Sequence, residues 1–209
     1  VAAGMIYSDG KKKVQGTSSF SVEGDTMSSG ALSASFGMNT ETWFGGDLTA
    51  QKLNLKIGAV AEFEVAGNTT GVNSIMVYSA KKATTTAVFY GDMTGTAAND
   101  SIKVAANNEL GIGGDLDLGG GKNSIQCDNN AHFRLNGLLT HLASAKFGKN
   151  NLIEASTEAL SYFRSMGKAC SVGAGSVVAD IGTTSVAGHF TTREEENSDD
   201  TIAAGPEVS

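Results

Sequence analysis

One proline stands in 209 residues, and only two cysteines. Two thiols cannot build a disulfide framework, and neither lies in a CxxC spacing, so a stapled miniprotein and a zinc module are both excluded. Cys127 falls on an apolar position of its strand, where a buried, unreactive thiol is expected, with a disulfide to Cys170 as the alternative. Aromatics make up 7% of the chain and charged residues 18%, against the ~25% charged share of ordinary soluble domains. So few large side chains leave a helical bundle without anchors. No apolar run approaches the ~20 residues of a membrane-spanning helix. The 15 basic residues are scattered apart from Lys11-Lys12-Lys13, a run without interleaved aromatics, which argues against a nucleic-acid surface. Net charge is −7, and its densest stretch, Glu194-Glu195-Glu196 with Asp199-Asp200, reads as a solvated loop.

What the chain does have is glycine, 27 residues of it, and a repeat. Asp100-Ser101-Ile102-Lys103-Val104 is echoed by Asn123-Ser124-Ile125-Gln126-Cys127. Eight residues beyond each Ile comes a second apolar pair, Leu110/Ile112 and then Phe133/Leu135. With the first inward residue of the first strand as reference, the series reads Lys12, Ala34, Leu55, Ile75, Ile102, Ile125, Leu152, Val178, Ile202, in steps of 20 to 27 residues. Two residues later stand Val14, Phe36, Ile57, Val77, Val104, Cys127, Glu154, Asp180 and Ala204, on the same face of each strand. A second strand gives Phe20, Thr42, Phe63, Leu110, Phe133, Leu160 and Val186. In the remaining coil its place goes to Val88, displaced by an insertion around Lys81–Thr85. A glycine corner follows at Gly24, Gly46, Gly67, Gly114 and Gly137, in four of the five with Asp or Asn next, as in Gly46-Asp47. Two residues before the reference position sit Asn73, Asp100, Asn123, Asn150 and Asp200, which predicts a side-chain ladder along the stack.

A coil of this size cannot bury its own apolar face and must stack on its copies. The expected fold is therefore mainly all-β, a parallel β-solenoid with about three short strands per ~24-residue coil. It forms a single domain over 1–209, with 1–30 and 190–209 as incomplete terminal coils. Helical spacing competes within 137–166. Leu135, Leu138, Leu139, Leu142 and Ala145 predict a helix over 137–146; Ala155, Ala159, Phe163 and Met166 predict one over 157–166.

The corners at Thr96-Ala97-Ala98-Asn99-Asp100-Ser101-Ile102 and Gly119-Gly120-Gly121-Lys122-Asn123-Ser124-Ile125 resemble repeat corners of bacterial surface proteins, autotransporter passengers and large adhesins among them. That resemblance implies an extracellular or cell-surface location and a structural or adhesive role. Gly113-Gly114-Asp115-Leu116-Asp117-Leu118 is faintly similar to calcium-binding nonapeptide repeats, which need tandem copies of Gly-Gly-x-Gly-x-Asp; this chain has no tandem copy. No cofactor is expected. Calcium is the one ion given any opening, at Asp115 and Asp117.

No residues with catalytic spacing stand out. His132, His141 and His189 share no spacing suited to a metal or a nucleophile dyad. Outward Asp115 and Asp117 are the nearest approach to the carboxylates of a polysaccharide-degrading β-helix enzyme, and register sets Arg134 beside Gly111 rather than beside them. The chain begins with Val, as a processed protein or an excised fragment would. Val1–Tyr7 and Asp200–Pro206 read as unfinished strands of uncapped end coils. The expectation is an extracellular structural protein stacking head to tail with itself into a fibre or surface layer. The alternative is a slice of a larger surface adhesin, a stalk or binding module for a glycan or host surface.

Overall fold

Ser101–Val104, Glu109–Ile112 and Ser124–Cys127 each bury their second and fourth residues and turn the first and third outward. That period of two fixes them as strands, and the computed structural model stacks them in parallel. It describes residues 6–7, 11–14, 18–36, 40–58, 62–79, 84–181, 187–191 and 201–202. Three faces surround one apolar core. The first face includes Ser101–Val104, Ser124–Cys127, Ser144–Phe147 and Cys170–Val172. The second runs from Ser18–Val22 through Thr40–Phe44, Glu62–Val65, Thr86–Phe89, Glu109–Ile112, His132–Leu135 and Leu152–Ala155 to Val177–Asp180. On the third, Met93–Gly95, Leu116–Asp117 and Leu139–Thr140 follow one another. Thr26–Phe36, Leu48–Gly58 and Thr69–Tyr78 bend from the third face into the first through register shifts. About six turns result, a β-solenoid as the repeat predicts.

Register confirms the first-face series from Lys12 through Ala34, Leu55, Ile75 and Ile102 to Ile125. Beyond Ile125 the expected series is corrected. The next member is Ala145, only 20 residues on, and then Cys170. Leu152 and Val178 belong to the second face, where Leu152 stands outward opposite His132 and Val178 stacks on Ile153. Glu154 therefore points outward, beside Arg134. The turn shortens because the corner that holds Gly119-Gly120-Gly121-Lys122 in one coil is cut back in the next. Ala145 is already a first-face strand residue, so no helix forms over 137–146. In the fourth coil Ala87, not Val88, faces inward, stacked between Phe63 and Leu110. Leu160 lies in the helix, and Val186, Ala204 and residues 80–83 of the insertion lie outside the described residues.

The second predicted helix is present as α1 (Thr157–Ser165). Ser156 caps it, accepting from the Ala159 N–H at 3.1 Å and donating to the Gly137 carbonyl at 2.8 Å. α1 follows a second-face strand and precedes a first-face one, so it replaces a third-face strand. Its buried Ala159, Leu160 and Phe163 cover the end of that stack, and Phe163 meets Phe147 edge-on at 5.5 Å. The second face ends differently. Ala187–Thr191 pairs antiparallel with Val177–Asp180, and Thr201–Ile202 antiparallel with Ala187–Thr191. Ile202 therefore begins no further parallel coil, and the second-face edge at this end is covered. Cys127 and Cys170 are buried and no disulfide joins them; burial, and then the Asp128 carboxylate, pushes the Cys127 thiol well above its usual pKa.

Three threonine hydroxyls, on Thr26, Thr42 and Thr69, are buried without a hydrogen-bond partner. Thr42 is 4% exposed and lies in register between Phe20 and Phe63. Thr42→Val keeps the β-branched shape and removes the stranded oxygen, so unfolding in urea should require about 1 kcal/mol more. A variant no more stable than the parent would mean that the hydroxyl is satisfied in solution.

Candidate functional site

At the corner between second and third faces, one side chain per turn reaches to the next. Asp25 Oδ1 accepts from the Asp47 N–H at 2.9 Å, Asp47 from Asn68 at 2.7 Å and Asn68 from Asp92 at 2.9 Å. Asp92 accepts from Asp115 at 2.9 Å, and Asp115 from Leu138 at 2.7 Å. Gly46, Gly67, Gly91, Gly114 and Gly137 each lie against the ladder residue one turn back, and a Cβ on any of them would overlap its oxygen. Gly24 stands at the head of the series with nothing within 4 Å. The spacing Gly-Asp/Asn is thus a stacking device, set at a different corner from the ladder expected of Asn73, Asp100, Asn123, Asn150 and Asp200.

Those five divide. Asn73, Asp100 and Asn123 share the corner before the first face: Asn73 Nδ2 donates to Asn54 Oδ1 at 2.8 Å, and Asn123 Oδ1 accepts from the Asp100 N–H at 2.8 Å. The Asp100 carboxylate turns to Thr96 instead, taking its N–H at 2.7 Å and its hydroxyl at 2.6 Å. Asn150 belongs before the second face, stacked with Asn107 and Asn130 in the left-handed conformation at φ of 56°, 62° and 57°. Asp200 lies outside the described residues.

Both metal candidates make hydrogen bonds within the protein through one carboxylate oxygen. Asp115 Oδ1 serves the ladder. Asp117 Oδ1 accepts from the Gly119 N–H at 2.9 Å and lies 2.6 Å from His141 Nδ1. The Gly119 amide above all, with help from His141 and Thr140, holds the Asp117 carboxyl below its usual range despite partial burial. Among the described residues no three His, Cys, Asp or Glu side chains converge on a common point. Nor does any described helix have the length and apolarity to cross a membrane.

A concave part of the surface lies elsewhere, on the outside of the second face. Three adjacent strands contribute three outward columns: Thr86, Glu109 and His132; Val88, Gly111 and Arg134; Tyr90, Gly113 and Asn136. The middle strand carries glycine in two of the three, so it sinks between its neighbours. The groove measures about 380 Å³. Gly113 has a backbone reason to be glycine, because a Cβ there would meet the Tyr90 carbonyl oxygen at 2.5 Å. Gly111 has none. Its φ is ordinary, and a Cβ would touch only the Val88 methyls, at 3.9 and 4.0 Å. Glycine inside a strand weakens it, so what Gly111 provides is open space.

Polar contacts fix the walls. Arg134 Nε donates to Asn136 Oδ1 at 3.0 Å. His132 Nε2 lies 2.6 Å from Glu154 Oε2, and Nδ1 lies 4.0 Å from Glu109 Oε1. Thr86 Oγ1 donates to Glu109 Oε2 at 3.5 Å. Tyr90 is 52% exposed, and its hydroxyl donates to Glu64 Oε1 at 3.3 Å. Partial desolvation, and then the Glu64 carboxylate, raise the Tyr90 pKa above its usual value. The arrangement offers an aromatic plate, hydrogen-bond donors and acceptors over a flat floor. None of the carboxylates proposed from sequence lies in it. His132 and Arg134 come together here because their strand supplies two successive outward positions, and the signal that marks the place is a glycine in mid-strand with no corner to turn. No family model, curated protein or solved structure matches this chain.

Proposed function

We propose that the protein is an extracellular binding module of the stalk or adhesin kind, in which the second-face groove takes a sugar unit and the coil stack serves as a stiff spacer. The observation that carries this reading is Gly111. A strand residue that gives up stabilising side-chain contacts without a backbone need is best explained by something else that occupies its space. An exposed tyrosine ring opposite Arg and Asn donors suits a pyranose, whose C–H face stacks on aromatics and whose hydroxyls need both donors and acceptors. The carboxylates at the groove, Glu109 and Glu154, are tied to Thr86 and His132, which favours binding over turnover. Assembly with itself into a fibre is the weaker reading, because an antiparallel strand and α1 lie across two of the three faces at one end.

The test is a glycan array probed with the parent protein and with Gly111→Val. The valine fits the fold, should leave the urea midpoint unchanged or raise it, since a β-branched residue suits a strand better than glycine, and fills the floor of the groove. Binding to some glycan by the parent, reduced at least about tenfold by Gly111→Val, is the expected outcome. Silence of the whole array, or a bound glycan indifferent to the valine, would remove the groove from the proposal.

A further inference from the structure

Arg134 is the one cation of the groove whose in-register neighbours leave it unpaired. Along its column it stands between Gly111, which has no side chain, and Glu154, a carboxylate ideally placed to take it. Glu154 goes to His132 instead, at 2.6 Å. The ion pairs among the described residues join Lys103 to Asp128, His132 to Glu109 and Glu154, and His141 to Asp117, and none uses Arg134. Its Nε is held by Asn136 Oδ1, which fixes the plane of the guanidinium on the wall of the groove and leaves the terminal nitrogens to a ligand. A planar fork of donors at the rim of a cleft matches a carboxylate in bidentate fashion. Glu109, the carboxylate at the groove's end, has the Thr86 hydroxyl and His132 beside it.

We infer that the groove selects a sugar ring carrying a carboxylate, a single hexuronate unit on an otherwise neutral chain, with Arg134 as the residue that determines specificity. The inference deepens the saccharide reading of the groove and rests on it. Tyr90 and Asn136 lie two strands apart, about 9–10 Å at the usual strand spacing, which leaves the width of one pyranose between the walls above Gly113. The ring lies against Tyr90 and its carboxylate meets Arg134. A polyuronate is disfavoured. Glu62 and Glu64 lie one strand beyond Thr86 and Val88, and the chain as a whole carries −7, so successive carboxylates along a ligand would face repulsion.

Three disaccharides separate the contributions: glucuronyl-β-glucose, its methyl ester, and glucosyl-β-glucose, each titrated by saturation-transfer NMR. The acid should bind at least about tenfold more tightly than the ester or the neutral sugar, the size of one charge-assisted contact. Added salt should narrow the gap. Arg134→Gln should abolish the difference while leaving the urea midpoint in place, since the side chain is exposed. Equal binding of all three sugars, or an acid preference that survives Arg134→Gln, overturns the inference and leaves a saccharide groove standing. Binding of none of the three overturns it as well, and the glycan array then decides whether the groove itself falls with it.

Discussion

Phe63→Ala should cost about 3–5 kcal/mol of folding stability, among the largest losses available to a single core substitution in this chain. Phe63 is fully buried. Its neighbours in the same inward column are Thr42 on one side and Ala87 on the other, both small. The ring fills the room that these two leave, and it bridges across the core, 5.0 Å from the Phe36 ring, 5.7 Å from Phe44 and 5.5 Å from Phe89. Alanine would set three small side chains in succession. The site cannot collapse to close the gap, because backbone hydrogen bonds hold the coils at a fixed spacing of about 4.8 Å. The cavity should therefore persist, and its cost adds to the lost transfer energy. Urea denaturation followed by far-ultraviolet circular dichroism measures it. Phe63→Leu, which keeps most of the volume, should lose much less. Equal losses in the two variants would mean that the core repacks freely and that ring stacking does not govern this segment. A solenoid is a chain of nearest-neighbour contacts, so the transition of the alanine variant should also broaden as the coils on either side of residue 63 uncouple.

The stacking direction was legible in the sequence wherever a strand alternated with large aliphatic residues. Ile75, Ile102 and Ile125 fall in register because Ser-Ile-x-apolar recurs at each of them, although the corners between them differ in length. Past Ile125 the same pattern fails for a physical reason. The corner shortens, and the next inward residue is Ala145, whose methyl carries almost no hydrophobic signal beside the leucines at 138, 139 and 142. A search for large residues passes over alanine and lands on Leu152, which faces solvent on another strand. Ala87 was hidden in the same way behind Val88. The real helix was visible because α1 has both a stripe, Ala159 with Phe163, and a capping serine ahead of it. The Asp/Asn ladder was half legible: the dipeptides Gly46-Asp47 and Gly114-Asp115 announced a corner, and only the stacked backbone shows that each carboxylate serves the turn after it. The groove was least legible. Gly111 and Arg134 could be set side by side from register alone, but the sequence does not say that Glu154 would turn from Arg134 to His132.

Asn123→Ala should lose about 3 kcal/mol or more, without creating any large cavity. Asn123 is fully buried and its side chain holds three turns together. Oδ1 accepts from the Asp100 N–H, one turn back, at 2.8 Å. Nδ2 donates to the Leu118 and Gly119 carbonyls of its own turn at 3.0 and 3.1 Å, and to the His141 carbonyl one turn on at 2.7 Å. Alanine leaves a buried amide and several carbonyls without this partner, at about 1–3 kcal/mol for each group that finds no substitute. Asn123→Asp discriminates hydrogen bonding from simple packing, because it preserves shape. At neutral pH it keeps the acceptor for Asp100 and turns a second carboxylate oxygen toward three carbonyl oxygens, so it should be less stable than the alanine variant. Those carbonyls favour the protonated acid, which raises the aspartate's folded-state pKa above its unfolded value near 3.9. A raised carboxyl pKa makes the folded state bind more protons than the unfolded chain, so the variant should regain stability as pH falls through that folded pKa, until both states are protonated. The parent, with an amide at this position, has no such gain to make. A thermal-melting series from pH 7 to pH 4, run on the parent and both variants, reads the difference directly. If the aspartate variant tracks the alanine one at every pH, the corner is held by its backbone and Asn123 only fills space.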